Sequence, residues 1–290
     1  MSAQTSTALR GTHLLIIDPQ NDFCDLPAAH LPPDPVAGGE ARTAPALPVG
    51  GAHADMQRLA RFIDRHGAAL DEITVTLDAH HRHDIAHPTF WQRGDGAPVT
   101  PFTAITAQQV RSGEFTPRQA AALPRTLAYL DELEARGRYT LMVWPVHCEI
   151  GTWGQGVHAD VRTAYNRWEE AGGQVVRKVS KGSNPWTEHY SAVQAEVPDE
   201  EDAATQVNEA LIAPLRTAER IVIAGQASSH CVRATTEHLV QQLGTPAARR
   251  MVLLTDCMSP VAGFDAAQRE FFATLSAWGA TLAHSTDVAL

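Results

Sequence analysis

The chain reads as an α/β protein: a parallel, doubly wound, Rossmann-like sheet of about six strands with helices on both faces. Three observations predict this. Short apolar runs rich in β-branched residues alternate with longer stretches whose apolar residues recur at helical spacing. Two of those runs, Leu14 to Ile17 and Ile221 to Ala224, are apolar throughout, as strands buried on both faces read. Acidic, basic, imidazole and thiol side chains recur at the ends of the runs, where ligands bind in sheets of this kind.

In chain order, Met1 to Arg10 is polar and lacks the apolar core of a secretory leader. His13 to Asp18 (His-Leu-Leu-Ile-Ile-Asp) is a buried strand ending in a carboxylate, with Pro-Gln-Asn-Asp-Phe after it. Such an acid is either an active-site group or the start of a turn. Cys24 to Ala52, rich in Pro, Gly and Ala, is a long surface loop. Ala54 to His66 is a helix with Met56, Leu59, Phe62 and Ile63 on one face, and Glu72 to Asp78 is a strand. Asp78 and His80, two apart at a strand end, can point to one side. His81 and His83 fit a polar loop. Trp91 to Pro124 is irregular, Arg125 to Arg136 a helix, and Tyr139 to Val143 a strand that runs into Trp144-Pro-Val-His147-Cys148. Val157 to Ala171 is helical, and Gln174 to Val179 is a strand followed by Lys181-Gly182. Asp202 to Leu215 is helical. Ile221 to Ala224 is a strand, and Ser228 or Ser229 in the turn after it can cap the helix Cys231 to Leu243. Met251 to Leu254 is a strand, Asp265 to Trp278 a helix, and Thr281 to Ala283 a last short strand. The whole reads as one domain over residues 1–290, with insertions at about 24–52 and 91–138.

Cys231 stands where a strand's C-terminal end turns into a helix. Backbone N–H groups there face whatever the sulfur attacks, and the positive end of the helix dipole favours thiolate. A small buried apolar residue is the other reading of such a Cys; its position and neighbours favour a nucleophile. Lys181 is either a solvated surface lysine or a site residue, and its place after a buried strand favours the second. Asp18, Asp78, His147, Lys181 and Cys231 all lie at or just after strand ends, hence at one edge of the sheet.

Composition bounds the function classes. The 290 residues carry a net charge of -10, with no basic cluster of the kind nucleic acid requires. No apolar run approaches the roughly 20 residues that span a membrane. The four cysteines, Cys24, Cys148, Cys231 and Cys257, are scattered and form no CxxC pair, so reduced thiols and a cytoplasmic location are expected. Gly151 to Gly156 lacks the Lys-Ser/Thr of a phosphate-binding loop.

Taken together, Ile-Ile-Asp18-Pro-Gln-Asn-Asp-Phe23, Asp78-Ala79-His80 with His87-Pro-Thr-Phe90, Trp144-Pro-Val-His147-Cys148, Lys181-Gly182 and Gly225-Gln-Ala-Ser-Ser-His-Cys231-Val232 resemble the isochorismatase-like cysteine hydrolases, and within them the nicotinamidases. These pieces occur in the family's order from residue 13 to about 285. The resemblance implies a catalytic triad of Asp18, Lys181 and Cys231, and an oxyanion site from the N–H groups of Ala227 and Cys231 after a cis Gln226–Ala227 peptide. It implies aromatic pocket walls at Phe23 and Trp144. It also implies one divalent transition metal, Zn, Fe or Mn, on Asp78, His80, His87 and His147. Ala79 stands where nicotinamidases usually have Trp, Ser229-His230 replaces the commoner Asp-Tyr, and the segment before Trp144 is longer than in compact members.

The implied activity is hydrolysis of a small, nicotinamide-like carboxamide to acid and ammonia through a Cys thioester, the metal assisting substrate binding. A metal-free hydrolase of carbamoyl or ureido compounds and a catalytically idle binding member are the alternatives; the metal set argues against the first and the intact triad against the second. The partner expected is a small-molecule amide, not nucleic acid or membrane. The insertion Trp91 to Arg138 has too many apolar residues for a disordered linker. It is expected to fold over the pocket mouth, or against a second subunit of a homo-oligomer.

Overall fold

The computed structural model describes residues 9–290; the polar start of the chain, apart from Leu9 and Arg10, lies outside them. In chain order the strands are β1 (Arg10–Ile17), β2 (Glu72–Asp78), β3 (Trp91–Arg93), β4 (Thr103–Ile105), β5 (Phe115–Pro117), β6 (Leu141–Val143), β7 (Arg177–Lys181), β8 (Ala218–Gly225), β9 (Met251–Leu254) and β10 (Thr281–Ala283). The helices are α1 (Ala52–His66), α2 (Ala107–Arg111), α3 (Leu123–Arg136), α4 (Ala159–Gly172), α5 (Glu209–Thr217), α6 (Cys231–Leu243) and α7 (Asp265–Ala277).

Six strands form one parallel sheet in the order β10-β9-β8-β1-β2-β7. The chain steps from β1 through β2 to β7 in one direction, then returns to β8 and steps through β9 to β10 in the other. Crossovers between parallel strands are right-handed, so this reversal puts α1 and α4 on one face and α6 and α7 on the other. The switch point falls between β1 and β8, the two most buried strands: Leu14 to Ile17 and Ile221 to Ala224 have no exposed surface. Asp18 follows the first and Cys231 the turn after the second, so topology alone brings acid and thiol to one crevice.

Two glycines make this edge passable. Gly225 has φ +129°, and a Cβ there would lie 1.9 Å from the carbonyl oxygen of Ile17. Gly182 has φ +88°, and a Cβ would meet Asp78 Oδ1 at 2.9 Å. Neither position accepts a side chain.

The structure corrects several sequence expectations. Tyr139 to Val143 is not a strand of the sheet. Its ordered part, β6, pairs antiparallel with β4 of the insertion, because the sequence of a three-residue apolar run does not say which neighbour it will find. The stretch Trp91 to Pro124 is not irregular: it holds β3, β4, β5 and α2, the last closed by a Thr106/Gln109 capping box. The helix read from Asp202 starts only at Glu209. Asn208 caps it, and Asp202 instead caps a separate 3-10 turn at Ala203–Thr205. The strand read as Gln174 to Val179 is displaced to Arg177–Lys181, so Lys181 is its last residue. That strand is polar because it is an edge, paired only with β2. Neither Ser228 nor Ser229 caps α6. His230 occupies the cap position with no side-chain bond to the helix; Ser229 Oγ bonds His230 Nδ1 and accepts from Val261 N–H, while Ser228 Oγ accepts from Gln268.

The insertion builds a second apolar core. Trp91, Ile105, Val110, Phe115, Tyr129, Leu130 and Leu133 pack in one cluster with Ile85, Phe90, Leu141 and Val143 from outside the insertion. All four cysteines are free and buried. No helix among the described residues is long and apolar enough to cross a membrane.

His13 gives the sheet a pH dependence. It is 2% exposed in β1, its Nε2 lies 2.8 Å from Thr74 Oγ1, and burial, with Arg177 nearby, lowers its pKa to about 4. A folded-state pKa below the unfolded one means that the unfolded chain binds the proton first. The stabilisation is therefore complete above pH ~6.5 and is lost as pH falls toward the folded value, by on the order of 1–3 kcal/mol. Urea unfolding between pH 7 and 4 should show this loss, and His13→Gln, which keeps a partner for Thr74, should reduce the slope. An unchanged slope would show that other groups carry it.

Candidate active site

The site is assembled around Lys181, which is 3% exposed. In the sheet Asp78 and Lys181 are direct register partners on β2 and β7, so their side chains leave the same face side by side. Lys181 Nζ lies 2.9 Å from Asp78 Oδ1, 2.9 Å from Asp18 Oδ2, 2.9 Å from the carbonyl oxygen of His189 and 3.6 Å from Cys231 Sγ. Asp18 has no exposed surface and a left-handed backbone, φ +44°, which turns its carboxyl off the end of β1 into the crevice. Thr76 Oγ1 donates to Asp18 Oδ1 at 2.5 Å.

One cation thus serves two buried carboxylates beside a thiol, and the titrations follow. Burial raises Asp18, and the neighbouring Asp78 adds to this against the pull of Lys181. Burial also opposes the charge on Asp78, but His80 and Lys181 outweigh it and hold that carboxyl well below the usual range. Burial disfavours the Lys181 ammonium, and Asp18 and Asp78 overcome it, so the charge is retained to high pH. Burial, with both carboxylates close, pushes the Cys231 thiol well up despite Lys181. Burial thus favours the protonated thiol, with the raised Asp18 carboxyl in the same cluster.

The Pro-Gln-Asn-Asp-Phe stretch after Asp18 proves to be a clamp. Gln20 is fully buried; its amide accepts from Asp78 N–H at 2.7 Å and donates to Asp78 C=O at 2.8 Å. Asp22 Oδ2 accepts from Cys148 N–H at 2.6 Å, fixing the peptide next to His147. Cys148 has φ +46°. One short segment thereby ties the loops of Asp78 and His147 to β1.

Asp78 Oδ2 lies 3.1 Å from His80 Nε2 and 3.5 Å from His147 Nε2, and these three buried groups form one convergent donor set. The far nitrogens of both rings face acceptors: His80 Nδ1 is 3.2 Å from Asp84 Oδ2, and His147 Nδ1 is 2.8 Å from Pro145 O. In the neutral rings, with hydrogen on those Nδ1 atoms, the Nε2 lone pairs would face Asp78 and be free to bind a cation in place of a proton. His80 Nε2 is buried, and its 3.1 Å approach to Asp78 Oδ2 lacks hydrogen-bond geometry. Such a group demands positive charge at its centre. Burial works against a proton there, yet Asp78 and Asp84 keep His80 protonated well above the usual imidazole range. One carboxylate and two imidazoles fit a divalent transition metal. His87 packs beside them, its ring 5.1 Å from that of His80, but its Nε2 contacts His147 Nδ1 at 3.3 Å and does not join the convergent atoms. Burial and the neighbouring imidazoles lower His87 to about 3, so it is neutral.

The turn after β8 carries the thiol. The Gln226–Ala227 peptide is cis, as the resemblance implies. The N–H groups of Ser228, His230 and Val232 are engaged by Ser259 and Ala227 oxygens, whereas those of Ala227 and Cys231 have no acceptor among the described residues. They are free to hold an oxyanion.

Phe23, Leu47, Asp78, Trp144, His147, Glu188, Tyr190, Ala227, His230, Cys231 and Val261 enclose the pocket. Its free space is about 20 Å³, room for about one water molecule, so the walls must part to admit a ring. Tyr190 and His230 also line a larger outer cavity of about 550 Å³, with Arg138, Tyr139, Arg233 and Phe264. Sequence reasoning missed Glu188, Tyr190 and His230 as pocket residues, and Gln20, Thr76 and Asp84 as supports. The run Trp186 to Tyr190, polar and aromatic just after Lys181-Gly182, was the available signal.

The insertion supports this site from the side. β4 pairs with β6 immediately before Trp144, and the Phe102 ring meets Trp144 edge-on at 5.8 Å. Tyr129 Oη accepts from Glu188 N–H at 3.2 Å, and Arg125 stacks over Trp186 at 4.4 Å. No insertion residue lines the inner pocket; Gly137 and Arg138, at its end, line the outer cavity.

No protein-family model matches the chain, and no curated protein matches it. Solved structures do. A yeast nicotinamidase bound to the inhibitor nicotinaldehyde aligns over 94% of this chain and 99% of its own, at 16% identity and TM-score 0.61. An Acinetobacter baumanii nicotinamidase/pyrazinamidase aligns over 96% and 98%, at 17% identity and TM-score 0.58. A Pyrococcus horikoshii pyrazinamidase in complex with zinc aligns over 95% and 99%, at 17% identity and TM-score 0.51. The chain has the isochorismatase-like fold of these nicotinamidases.

Lys181 can be tested as the keystone without reference to any reaction. Lys181→Met leaves two buried carboxylates facing one another and should cost about 3–5 kcal/mol of unfolding free energy. Asp18→Asn in that background should recover part of it by removing one charge. A Lys181→Met protein within 1 kcal/mol of the parent in chemical denaturation, a threshold about the size of a surface pair, would show that the ion cluster does not hold the site together.

Proposed function

We propose that this protein is an amidase that hydrolyses a small heteroaromatic carboxamide of the nicotinamide type to the acid and ammonia through a thioester on Cys231. The observation that carries the reading is the position of Lys181, in contact at once with Asp18, Asp78 and Cys231. It joins a nucleophile and its base to a metal-type donor set on the wall of one aromatic pocket. The likeness to solved nicotinamidases and pyrazinamidases supports the same reading.

Asp18 Oδ, Asp78 Oδ and Cys231 Sγ lie within 4.8 Å of one another. Asp18 takes the thiol proton as sulfur attacks the carbonyl carbon, and its raised pKa makes it a better proton acceptor than an ordinary carboxylate. Lys181 stabilises the thiolate as it forms. The Ala227 and Cys231 N–H groups receive the oxyanion, each such donor worth about 3 kcal/mol. Protonated Asp18 then passes its proton to the departing nitrogen, and ammonia leaves a thioester. Water attacks that carbonyl with Asp18 as base, the acid departs, and the sulfur regains a proton. Phe23, Trp144 and Tyr190 stack on a flat ring and exclude water. Asp78, His80 and His147, with His87 beside them, would hold a divalent transition metal, which when bound supplies a Lewis-acidic anchor for a ring nitrogen of the substrate.

Ammonia release from nicotinamide, pyrazinamide and a set of ureido compounds tests the reading. Cys231→Ala should keep the fold and lower turnover by about 10³-fold or more. Comparable hydrolysis by the variant would overturn the covalent route.

Elemental analysis of protein purified without chelator should find about one transition metal per chain, lost in His80→Ala and in His147→Ala. Absence of metal from the parent protein, combined with activity on ureido compounds alone, would replace this reading by a metal-free carbamoyl hydrolase.

A further inference from the structure

The inner pocket and the outer cavity share two wall residues, Tyr190 and His230. The inner pocket has about 20 Å³ of free space, whereas a cavity that takes up benzene measures about 150 Å³. One wall must therefore yield to a substrate ring. Tyr190 is held: Trp144 Nε1 donates to its Oη at 3.0 Å, and its ring packs on Tyr139 at 4.8 Å. Trp144 is backed by Phe102 at 5.8 Å, and Phe23 stands edge-on to His147 at 5.5 Å. His230 differs. Its one side-chain hydrogen bond among the described residues joins Nδ1 to Oγ of the adjacent Ser229 at 2.9 Å, and it heads α6 without a side-chain bond to the helix. Ring contacts alone place the imidazole, with centroids 5.1 Å from Trp144, 5.3 Å from Tyr190 and 4.6 Å from Phe264. It also has room to move into. The outer cavity measures about 550 Å³, inside the range of about 300–1,000 Å³ usual for ligand pockets.

We propose that His230 is the specificity-determining wall of this site: a substrate ring enters by displacing its imidazole into the outer cavity, which is thereby a distal subsite of the same pocket. The inference rests on the amidase reading and sets the size and charge of its substrate. With His230 present, the displaced imidazole takes up the space behind the ring, and a single-ring carboxamide is selected. Without that side chain the two cavities join, and the outer one receives a second ring among Tyr139, Tyr190 and Phe264. The second ring must be uncharged. Arg233 is paired with Glu237 and Glu270, at 2.9 Å each, and Arg138 with Glu237 at 3.0 Å, so the described residues leave no unpaired cation there for a carboxylate or phosphate. Gly137 and Arg138, at the end of the insertion, help to line the subsite, which makes it a feature of this chain's own elaboration.

The probes are nicotinamide and its 4-, 5- and 6-phenyl derivatives, with a carboxyphenyl counterpart of each. The parent enzyme should favour nicotinamide over every phenyl amide by about 100-fold or more in kcat/KM. His230→Ala should raise at least one phenyl amide relative to nicotinamide by about 10-fold or more, and its carboxyphenyl counterpart by less than half as much. His230→Phe restores a ring to the wall and should keep the parent's order to within about 3-fold. Ala267 lines the outer cavity and not the inner pocket. Ala267→Phe should therefore raise KM for nicotinamide by about 3-fold or more with kcat within about 2-fold, and should cancel the gain of His230→Ala in the double variant. The proposal is overturned if His230→Ala lowers all amides alike, if His230→Phe admits phenyl amides as His230→Ala does, or if Ala267→Phe changes neither KM nor that gain. Should His230→Ala or Ala267→Phe not fold, His230→Ser or Ala267→Leu takes its place. A parent enzyme that releases ammonia from none of these amides would defeat the amidase reading separately. Thermal shifts of Cys231→Ala protein with the same amides then decide on His230: stabilisation by a phenyl amide that appears only with His230→Ala supports it, and equal shifts with and without that change, or none, overturn it.

Discussion

A single buried ammonium organises this molecule. Lys181 is 3% exposed and has three oxygens at 2.9 Å, from Asp18, Asp78 and His189. Two carboxylates would not both be buried at this sheet edge without it, since burial alone drives each toward the neutral form. Every other property of the crevice depends on how that one positive charge is divided. Asp78 takes enough of it, together with His80, to stay ionised; Asp18 takes less and is left able to exchange a proton. The thiol stands beside the cluster at 3.6 Å and feels attraction from Lys181 and repulsion from both acids. Such a balance is sensitive to added charge. A cation at Asp78, His80 and His147 would satisfy Asp78, release more of the Lys181 field toward Asp18 and Cys231, and so favour thiolate.

The sheet supplies the geometry for this cluster at little expense. The β2–β7 register places Asp78 opposite Lys181, and the reversal of strand order between β1 and β8 places Asp18 and the Cys231 turn on either side of one crevice. Glycines at 182 and 225 let the backbones close to distances that a Cβ would forbid. Gln20 and Asp22 then carry the order outward, from strand ends to loops, by holding the peptides of Asp78 and Cys148. The result is a site whose chemistry sits on strands and whose walls sit on loops.

Those walls are where this chain differs from a minimal fold of its type. Residues 91–138 close a second apolar core against the loops bearing His87 and Trp144, and α3 reaches under the segment of Glu188. The insertion therefore acts on the pocket indirectly. It fixes the frame from which Trp144, Glu188 and Tyr190 project, and leaves the inner wall itself to residues outside it. Its end contributes Arg138 to the outer cavity, where the cation is paired with Glu237 at 3.0 Å. Ser229-His230 before the nucleophile has a related consequence: the His230 ring sits among Trp144, Tyr190 and Phe264, and forms the partition between inner pocket and outer cavity.

The sequence by itself determined the parallel α/β sheet, the strand–turn–helix at Cys231, and the gathering of Asp18, Asp78, Lys181 and Cys231 at one edge; His147 reaches that edge from the loop after β6, which lies outside the sheet. These are legible because strand burial and helix periodicity are local patterns, and because the C-terminal ends of parallel strands all lie on one side. The short run at β6 misled because three apolar residues carry no information about which strand they pair with. The serines before α6 misled because a hydroxyl that could cap a helix was claimed by His230, Val261 and Gln268 instead. Only the tertiary structure decided that Gln20 grips the backbone of Asp78, that His87 stands against His147 Nδ1 outside the convergent donors, and that Glu188 joins the pocket wall. Each of these depends on contacts between segments distant along the chain, and pairing across such distances is set by packing, which no local spacing records.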